Sequence, residues 1–176
     1  EYYMDILGNE SQKVLDLAYL NSLYHTGVKN HLDDALLQCR EMPGRQGYFL
    51  ELAAQHPKLD ELPFDYERRF ASVLVEKEEE NLLIIKGSID EVCGRCGSVE
   101  YKGQRQAISG DGMESVRAIV DEMLEDGMKV LAVAYKPLNQ ATLSPEDEHD
   151  FILLGYLAFF DAPKESAAGT IQKLHM

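Results

Sequence analysis

The feature that most constrains the fold is a change in the period of the apolar residues near Ala71. Before this point, apolar side chains recur every three or four residues, which is typical of amphipathic helices. After it, Val73–Val75 and Leu82–Ile85 are compact apolar runs, and the polar segment Glu76–Asn81 joins them. Short apolar runs flanked by polar turns are typical of buried strands. We therefore predict a helical region followed by an antiparallel hairpin.

The other periodic segments predict four helices and two more strands. Asn9 with Gln12 and Asp111 with Glu114 have the spacing of N-terminal capping boxes, and Gly127 suits a C-terminal cap. Because the helices and strands do not alternate regularly, the expected class is α+β, a mainly antiparallel twisted sheet flanked by helices in a single domain over 1–176. The predicted helices cover 10–24, 31–37, 46–55 and 112–126, and the two further strands cover 130–135 and 152–159.

Composition limits the classes of partner. The net charge of −14 argues against a nucleic-acid-binding surface, which needs Lys and Arg to neutralise phosphates. The longest apolar run, Phe151–Phe160, is half the roughly 20 residues of a membrane helix. The first residues contain no initiator Met and no basic segment before an apolar one, so we expect a piece of a longer protein without a secretory signal. Three unevenly spaced cysteines favour a reducing, cytosolic setting.

An aromatic ring beside cations is the strongest candidate ligand site. Phe64 precedes Arg68 and Arg69, and a ring next to guanidiniums can stack on a base and bind phosphate. The alternative is that the ring belongs to the core and both arginines are solvated strand ends. Lys86-Gly87 closes an apolar run, where a residue without a side chain permits close approach to the backbone, although a simple turn also explains it.

Two further charged residues have a ligand interpretation and a structural one. Lys129 lies between Gly127 and a predicted strand, where its ammonium could face a phosphate or serve as a helix-terminal counter-charge. Asp33 could accept a hydrogen bond from the amine of adenine, or it could favour the dipole of the helix that it begins.

Other kinds of site have little support in the sequence. Cys93 and Cys96 have the spacing of half a zinc site, but no second pair of Cys or His stands at a suitable distance, so we predict no metal site. Neither a GxxxxGK[ST] loop nor a GxGxxG loop is present, and there is no GxSxG or HExxH motif. We therefore predict no catalytic residue in this chain.

In their order along the chain, several segments together resemble the nucleotide-binding domain of P-type cation-transporting ATPases, most closely the magnesium-importing branch. The resemblance covers nearly the whole chain. The segments that carry it are Tyr19-Leu20-Asn21-Ser22, His25-Thr26-Gly27-Val28-Lys29-Asn30, Asp33-Asp34-Ala35-Leu36, Pro63-Phe64-Asp65-Tyr66-Glu67-Arg68-Arg69, Lys86-Gly87-Ser88, Gly127-Met128-Lys129-Val130-Leu131-Ala132-Val133-Ala134 and Asp161-Ala162-Pro163-Lys164.

The resemblance implies an ATP site, with Mg²⁺ carried by the nucleotide. In it, Phe64 would stack on adenine and Asp33 would stand near the amino group of the base, while Lys86 and Gly87 would line the adenine slot. Arg69 and Lys129 would reach toward the ribose and phosphates. The segment 161–176 would begin the return connection to the phosphorylation domain of the same parent chain, with Asp161, Pro163 and Lys164 in the hinge.

The resemblance also implies the cellular setting. The parent would be an integral membrane ion pump, and this domain would lie at the cytoplasmic face of the cell membrane without touching the bilayer itself. The family's Asp-Lys-Thr-Gly-Thr phosphorylation motif does not occur in this sequence, so the chain alone should present ATP rather than cleave it. Three alternatives stay open: the corresponding domain of another P-type cation pump, an acidic protein-interaction module without nucleotide binding, and a small metal-binding domain using Cys93 and Cys96.

Overall fold

A computed structural model of the chain describes residues 2–6, 8–26, 31–38, 44, 46–62, 69–77, 80–101, 103–107 and 110–160. Its helices are α1 (Gln12–Tyr24), α2 (His31–Gln38), α3 (Gln46–Gln55), α4 (Ile89–Cys93) and α5 (Gly110–Glu125), with a short 3-10 helix at Pro145–Asp147. Its strands are β1 (Tyr2–Asp5), β2 (Lys58–Leu62), β3 (Phe70–Val75), β4 (Leu82–Ser88), β5 (Cys96–Tyr101), β6 (Gln104–Ala107), β7 (Met128–Pro137) and β8 (Phe151–Phe160).

The eight strands found in the described residues form one sheet: seven follow the order β2-β3-β4-β7-β8-β5-β6, and β1 lies off this path and pairs with β8. The pairs are antiparallel except for β5 with β8, which are parallel. Strand β7 pairs with one side of the long strand β8, and two strands divide the other side between them. On that side, β5 pairs with the first residues of β8, and β1 pairs with residues 155–158. The predicted α+β class with a mainly antiparallel sheet is therefore confirmed.

Helices cover both faces of the sheet, and each face has its own apolar core. On one face, α1 packs with Leu36 of α2 and Phe49 of α3 against alternate residues of the central strands, among them Ile84 and Val133. On the other face, α4 and α5 pack against the intervening residues, among them Ile85. Successive side chains of a strand point to opposite faces, so each central strand is buried on both sides and reads as a continuous apolar run.

The elements predicted from periodicity are confirmed, but both predicted N-terminal caps are wrong. Helix α1 begins at Gln12 and is capped by the residue directly before it, Ser11, whose hydroxyl accepts from Val14 N, whereas Asn9 lies two residues too early, in the turn after β1, where its carbonyl accepts from Asp5 N. Helix α5 begins at Gly110, so Asp111 lies inside its first turn and cannot be the cap. Gly127 does follow α5 in the left-handed conformation that was expected, with φ of 86°.

Within the part of the chain that the structure describes, none of the helices combines the length and the apolar character needed to cross a bilayer.

Candidate functional site

Three of the residues singled out in the sequence meet at one end of the sheet. Strand β3 begins where β4 ends, with Phe70 paired to Gly87, and Ser88 of β4 pairs with Leu131 near the start of β7. Arg69 directly precedes β3, and Lys129 is the second residue of β7. We call this end of the sheet, marked by Arg69, Gly87 and Lys129, the β4 end.

Two lysines at the β4 end belong to the same face of the sheet. Lys86 alternates in phase with Ile84, and Lys129 alternates in phase with Val133, so both side chains point to the face covered by α1 and α2. They differ in exposure: Lys86 retains 5% of its accessible surface, whereas Lys129 is exposed. Arg69 is exposed as well.

The buried lysine is paired with the acidic residue that the sequence analysis selected. Lys86 Nζ donates a hydrogen bond of 2.6 Å to Asp33 Oδ1, and Asp33 is only 3% exposed. The two residues are 53 positions apart in the chain, so the contact exists only because α2 packs over the β4 end. A buried charge requires such a partner, because transfer of an isolated ion out of water is very costly.

Two residues from the end of α1 complete the surroundings of this carboxylate. Ser22 Oγ donates a 2.6 Å hydrogen bond to Asp33 Oδ1, and His25 Nε2 lies 3.4 Å from Asp33 Oδ2. Burial by itself raises the pKa of the Asp33 carboxyl, but the hydrogen bond with His25, the charge of Lys86 and the hydrogen bonds from Lys86 and Ser22 outweigh it. The pKa of Asp33 therefore lies well below its usual range, and the carboxyl is ionised at neutral pH.

Helix α1 is itself tied to the sheet beside this cluster. The buried side chain of Asn21 donates through Nδ2 to the carbonyl oxygens of Ala71 on β3 and Ile84 on β4, each at 3.0 Å. Just beyond the helix, Thr26 N donates to Glu61 Oε2 of β2 at 2.7 Å. The last turn of α1 is thus fixed to three neighbouring strands.

Gly87 is explained by the pairing of β3 with β4. A Cβ at this position would lie 2.5 Å from Phe70 Cα and closer still to the Arg69 carbonyl oxygen and Phe70 Cβ. Arg69 has a φ of 64°, in the left-handed region that non-glycine residues seldom adopt, and its carbonyl accepts a hydrogen bond of 2.9 Å from Ser88 N. The sequence suggested that Gly87 lets a ligand approach the backbone closely. In the structure, the group that approaches Gly87 is the start of strand β3, at Arg69 and Phe70.

The structure thus places five of the predicted ligand residues at the β4 end of the sheet: Asp33 contacts Lys86, Arg69 lies beside Gly87, and Lys129 is near the start of the adjacent strand β7. The aromatic residue Phe64 lies outside the described residues, as does Arg68. The predicted hinge residues Asp161, Pro163 and Lys164 also lie outside them. The assignment of these residues to an ATP site and a hinge stays a prediction.

Sequence reasoning missed Asn21, Ser22 and His25 as members of the site. All three are buried polar residues: Asn21 and Ser22 lie in the last turn of α1 and His25 directly follows it, and the other buried residues of this helix are apolar or aromatic. Buried polar side chains have hydrogen-bonding partners, so a polar cluster on an apolar stripe signals contacts with another element. That signal was present in the sequence, although it does not reveal which element supplies the partner.

The two spaced cysteines lie away from this cluster. Cys93 ends α4 and Cys96 begins β5, and Cys96 Sγ donates to Val92 O at 3.2 Å. Burial raises the pKa of the Cys93 thiol to about 11 and raises the pKa of Cys96 as well. Among the described residues, no three His, Cys, Asp or Glu side chains are grouped so that they could hold a metal ion.

Chemically, the cluster combines a buried ion pair with exposed cations at its border. The Asp33 and Lys86 charges compensate each other, and Arg69 and Lys129 are exposed cationic side chains at the same end of the sheet. Guanidinium and ammonium groups are the usual protein partners of phosphate oxygens. This edge is therefore suited to an anionic ligand, even though the chain as a whole is strongly acidic.

Comparison with known proteins adds the family. Residues 25–166 match the family model described as P-type ATPase, cytoplasmic domain N. A magnesium-transporting ATPase, P-type 1, of Escherichia coli strain K12 is 37% identical over 177 residues, covering 99% of this chain and 19% of that protein. Its namesake in Salmonella typhimurium strain 14028s is 38% identical over 178 residues, with the same coverage. Calcium-transporting ATPase 1 of Lactococcus lactis is 34% identical over 128 residues, covering 71% of this chain and 15% of that protein. This chain thus spans about a fifth of the length of these relatives, and it belongs to the cytoplasmic N domain family of P-type ATPases.

Proposed function

We propose that this chain is the ATP-binding domain of a P-type magnesium-transporting ATPase. It holds ATP at the β4 end of the sheet and presents it to the phosphorylation domain of the same parent chain, at the cytoplasmic face of the cell membrane. Membership in the N domain family supports the role, and the names of the Escherichia coli and Salmonella relatives support magnesium as the transported ion. The parent protein is then an ion-translocating ATPase.

In this proposal each predicted residue has a separate task. Phe64 stacks on the adenine ring, and Asp33 stands near the amino group of the base, with Lys86 and Gly87 forming the wall beside it. Arg69 and Lys129 bind the ribose and phosphates, and Mg²⁺ arrives with the nucleotide. Asp161, Pro163 and Lys164 belong to the hinge, where the single domain 1–176 returns to the phosphorylation domain.

One observation carries the proposal: Arg69 and Lys129, both exposed, lie at the same end of the sheet as the buried Asp33–Lys86 pair. The chain has a net charge of −14, so a local group of cations is a departure from its general acidity and favours an anionic ligand. The carboxylate beside these cations favours a ligand that also carries a polar base, as ATP does. The acidic remainder of the surface repels a free polyphosphate at long range, so the cations act at short distances.

The same residues set the expected strength of binding. Stacking on one ring contributes about 1 to 3 kcal/mol, and exposed charge pairs add about 1 kcal/mol or less each. After the entropy of association, the dissociation constant falls in the micromolar to millimolar range. Weak retention suits a domain that hands over ATP and releases ADP in each cycle. Without the Asp-Lys-Thr-Gly-Thr motif, the chain alone does not turn over ATP.

The test is a titration of the 176-residue chain with Mg-ATP, followed by amide chemical shifts. We expect saturable shifts around Phe64, Lys86 and Lys129, and we expect Phe64→Ala to abolish them. Tyr48→Ala is the matched control, because Tyr48 is an exposed ring on α3. Its hydroxyl donates a hydrogen bond to Asp16, in the N-terminal half of α1 and away from Ser22.

The outcome distinguishes this proposal from its rivals. Unchanged spectra at millimolar Mg-ATP would overturn the proposal and favour an acidic protein-interaction module. Shifts that persist in Phe64→Ala, or that disappear equally in Tyr48→Ala, would overturn the assignment of the stacking ring.

A further inference from the structure

We propose that Ser22 and His25 are positioning residues of the nucleotide site: they hold the Asp33 carboxylate against Lys86 and so set the affinity for ATP without touching it. The group of four residues, Ser22, His25, Asp33 and Lys86, is called the Asp33 cluster below. This inference rests on the proposed function, because it concerns how the same site is held in its binding geometry.

The two oxygens of Asp33 have different neighbours. Oδ1 accepts hydrogen bonds from Lys86 Nζ and from Ser22 Oγ, each at 2.6 Å. Oδ2 faces His25 Nε2 at 3.4 Å. A carboxylate that is held at both oxygens cannot rotate about its Cβ–Cγ bond without losing at least one of these contacts. Its orientation is therefore fixed by α1 as well as by Lys86.

Helix α1 is a suitable support for this task. Ser22 and His25 are three residues apart, so they lie on the same face of the helix end and can reach one carboxylate together. Asn21 ties this turn to the carbonyl oxygens of Ala71 and Ile84, and Ile84 is two residues before Lys86 on the same strand. The hydrogen bonds of Asn21 therefore fix the end of α1, with Ser22 and His25, relative to the strand that carries Lys86.

Depth in the structure assigns these residues a supporting role. Ser22 is fully buried and His25 is 2% exposed, whereas Arg69 and Lys129 at the border are exposed. Asp33 and Lys86 are themselves only 3% and 5% exposed, so a ligand that approaches from solvent meets the exposed cations first, and the whole Asp33 cluster lies beneath the surface. Supporting hydrogen bonds of this kind preorganise the groups in front of them, and a loss of preorganisation weakens binding.

The experiment compares the Mg-ATP dissociation constants of Ser22→Ala, His25→Leu and His25→Gln with that of the unmodified chain. Loss of one supporting hydrogen bond should weaken binding by about 3- to 10-fold. The Gln amide can replace the imidazole Nε2, so His25→Gln should recover most of the affinity that His25→Leu loses. His56→Leu is the matched control, because His56 is a buried histidine that contacts Leu52 O outside the cluster.

A double-mutant comparison separates positioning from general damage to the fold. When Asp33 is already replaced in Asp33→Ala, which has no side-chain acceptor, the added Ser22→Ala change should alter the dissociation constant by less than about 2-fold, because its target is gone. The ¹³C shift of the Asp33 carboxyl carbon should also move in Ser22→Ala and stay in place in His56→Leu. If His25→Leu fails to fold, Ser22→Ala and its double mutant carry the test alone.

The results that would overturn the inference differ from those that would overturn the proposed function. If the unmodified chain binds Mg-ATP and Phe64→Ala does not, while Ser22→Ala and His25→Leu bind normally, the positioning role is wrong and the ATP site stands. Equal weakening by Ser22→Ala with and without Asp33 would also overturn the positioning role. If the unmodified chain binds no Mg-ATP, both proposals fall.

Discussion

Lys86 Nζ lies 2.6 Å from Asp33 Oδ1, and the pair joins the end of the central strand β4 to helix α2 in a fully buried contact. Among the side chains of α2 that the structure describes, Asp33 and Leu36 are buried, so the ion pair is one of the links between this helix and the sheet. The contact therefore bears on stability as well as on the proposed ligand site.

Removal of one partner from this pair should destabilise the fold strongly. Lys86→Met leaves the Asp33 charge buried without its counter-ion, and breaking a buried pair in this way costs about 3 to 5 kcal/mol. The double variant Asp33→Asn with Lys86→Met leaves no charge behind, so it should cost less than the sum of the two single variants. The measurement is urea unfolding of all four proteins. Additive costs would contradict the interpretation that the two charges compensate each other.

Stability should fall as the pH is lowered, because four carboxyls among the described residues have depressed pKa values in the folded state. For Glu61 and Glu100, burial raises the pKa, but the hydrogen bonds from Lys58 and Lys13 respectively, together with those from other neighbours, outweigh it. The pKa of Asp147 is lowered chiefly by the backbone N–H of Ser144, and that of Asp33 by the contacts of its cluster. The unfolded chain takes up protons near the ordinary pKa values, whereas the folded chain does not. Stability is therefore present above about pH 5 and declines below it.

The contribution of Asp33 to this decline can be isolated. Each group that is protonated only in the unfolded state adds a slope of at most about 1.4 kcal/mol per pH unit. The free energy of unfolding of Asp33→Asn should therefore fall less steeply below about pH 4 than that of the unmodified chain. The measurement is urea unfolding at intervals between about pH 3 and pH 7. Parallel curves for the two proteins would show that the Asp33 carboxyl titrates alike in both states.

Periodicity was sufficient to predict the long elements of this fold but not the short ones. Helix α1 and strands β3, β4, β7 and β8 have apolar patterns that extend over two or more turns or over a whole buried strand. Strand β6 consists of Gln104–Ala107, is exposed throughout, and is defined by backbone pairing with β5 alone. Helix α4 has five residues, which is too few for a helical period to be visible.

The candidate site shows the same division between local and distant information. Asp33 and Lys86 were each selected from the sequence, but their mutual contact depends on the packing of α2 over β4, which no local pattern specifies. The left-handed φ of Arg69 is likewise imposed by its place at the start of β3, beside Gly87. The family resemblance indicated that these residues belong to one site. The sheet register brings the end of β4 beside the starts of β3 and β7, which places Arg69 next to Gly87.

Gly87→Ala should be strongly destabilising, because the added Cβ would collide with the backbone of β3 at Arg69 and Phe70. Strand backbones cannot yield as a flexible side chain does, so we expect a loss of about 1 to 3 kcal/mol or more. Gly47→Ala is the matched control. Gly47 lies in α3 with nothing within 4 Å of the added atom, and Ala in a helix is favoured over Gly by about 0.5 to 1 kcal/mol. Equal thermal denaturation midpoints for the two variants would contradict the close approach of β3 to Gly87.

The thiol of Cys93 should react slowly with iodoacetamide in the folded chain. Its pKa of about 11, against an ordinary value of 9.0, reduces the thiolate fraction at pH 8 by about 100-fold, and only the thiolate is nucleophilic. The measurement uses a background in which Cys39 and Cys96 are replaced by Ser, so that Cys93 alone is followed by mass spectrometry. In urea the rate should rise by at least about 100-fold, because the desolvation that raises the pKa disappears. A bound metal or a redox role needs an accessible thiolate. Two results would therefore restore the metal-binding alternative for Cys93 and Cys96: a fast reaction of Cys93 in the folded chain, or one tightly held zinc per chain of the unmodified protein.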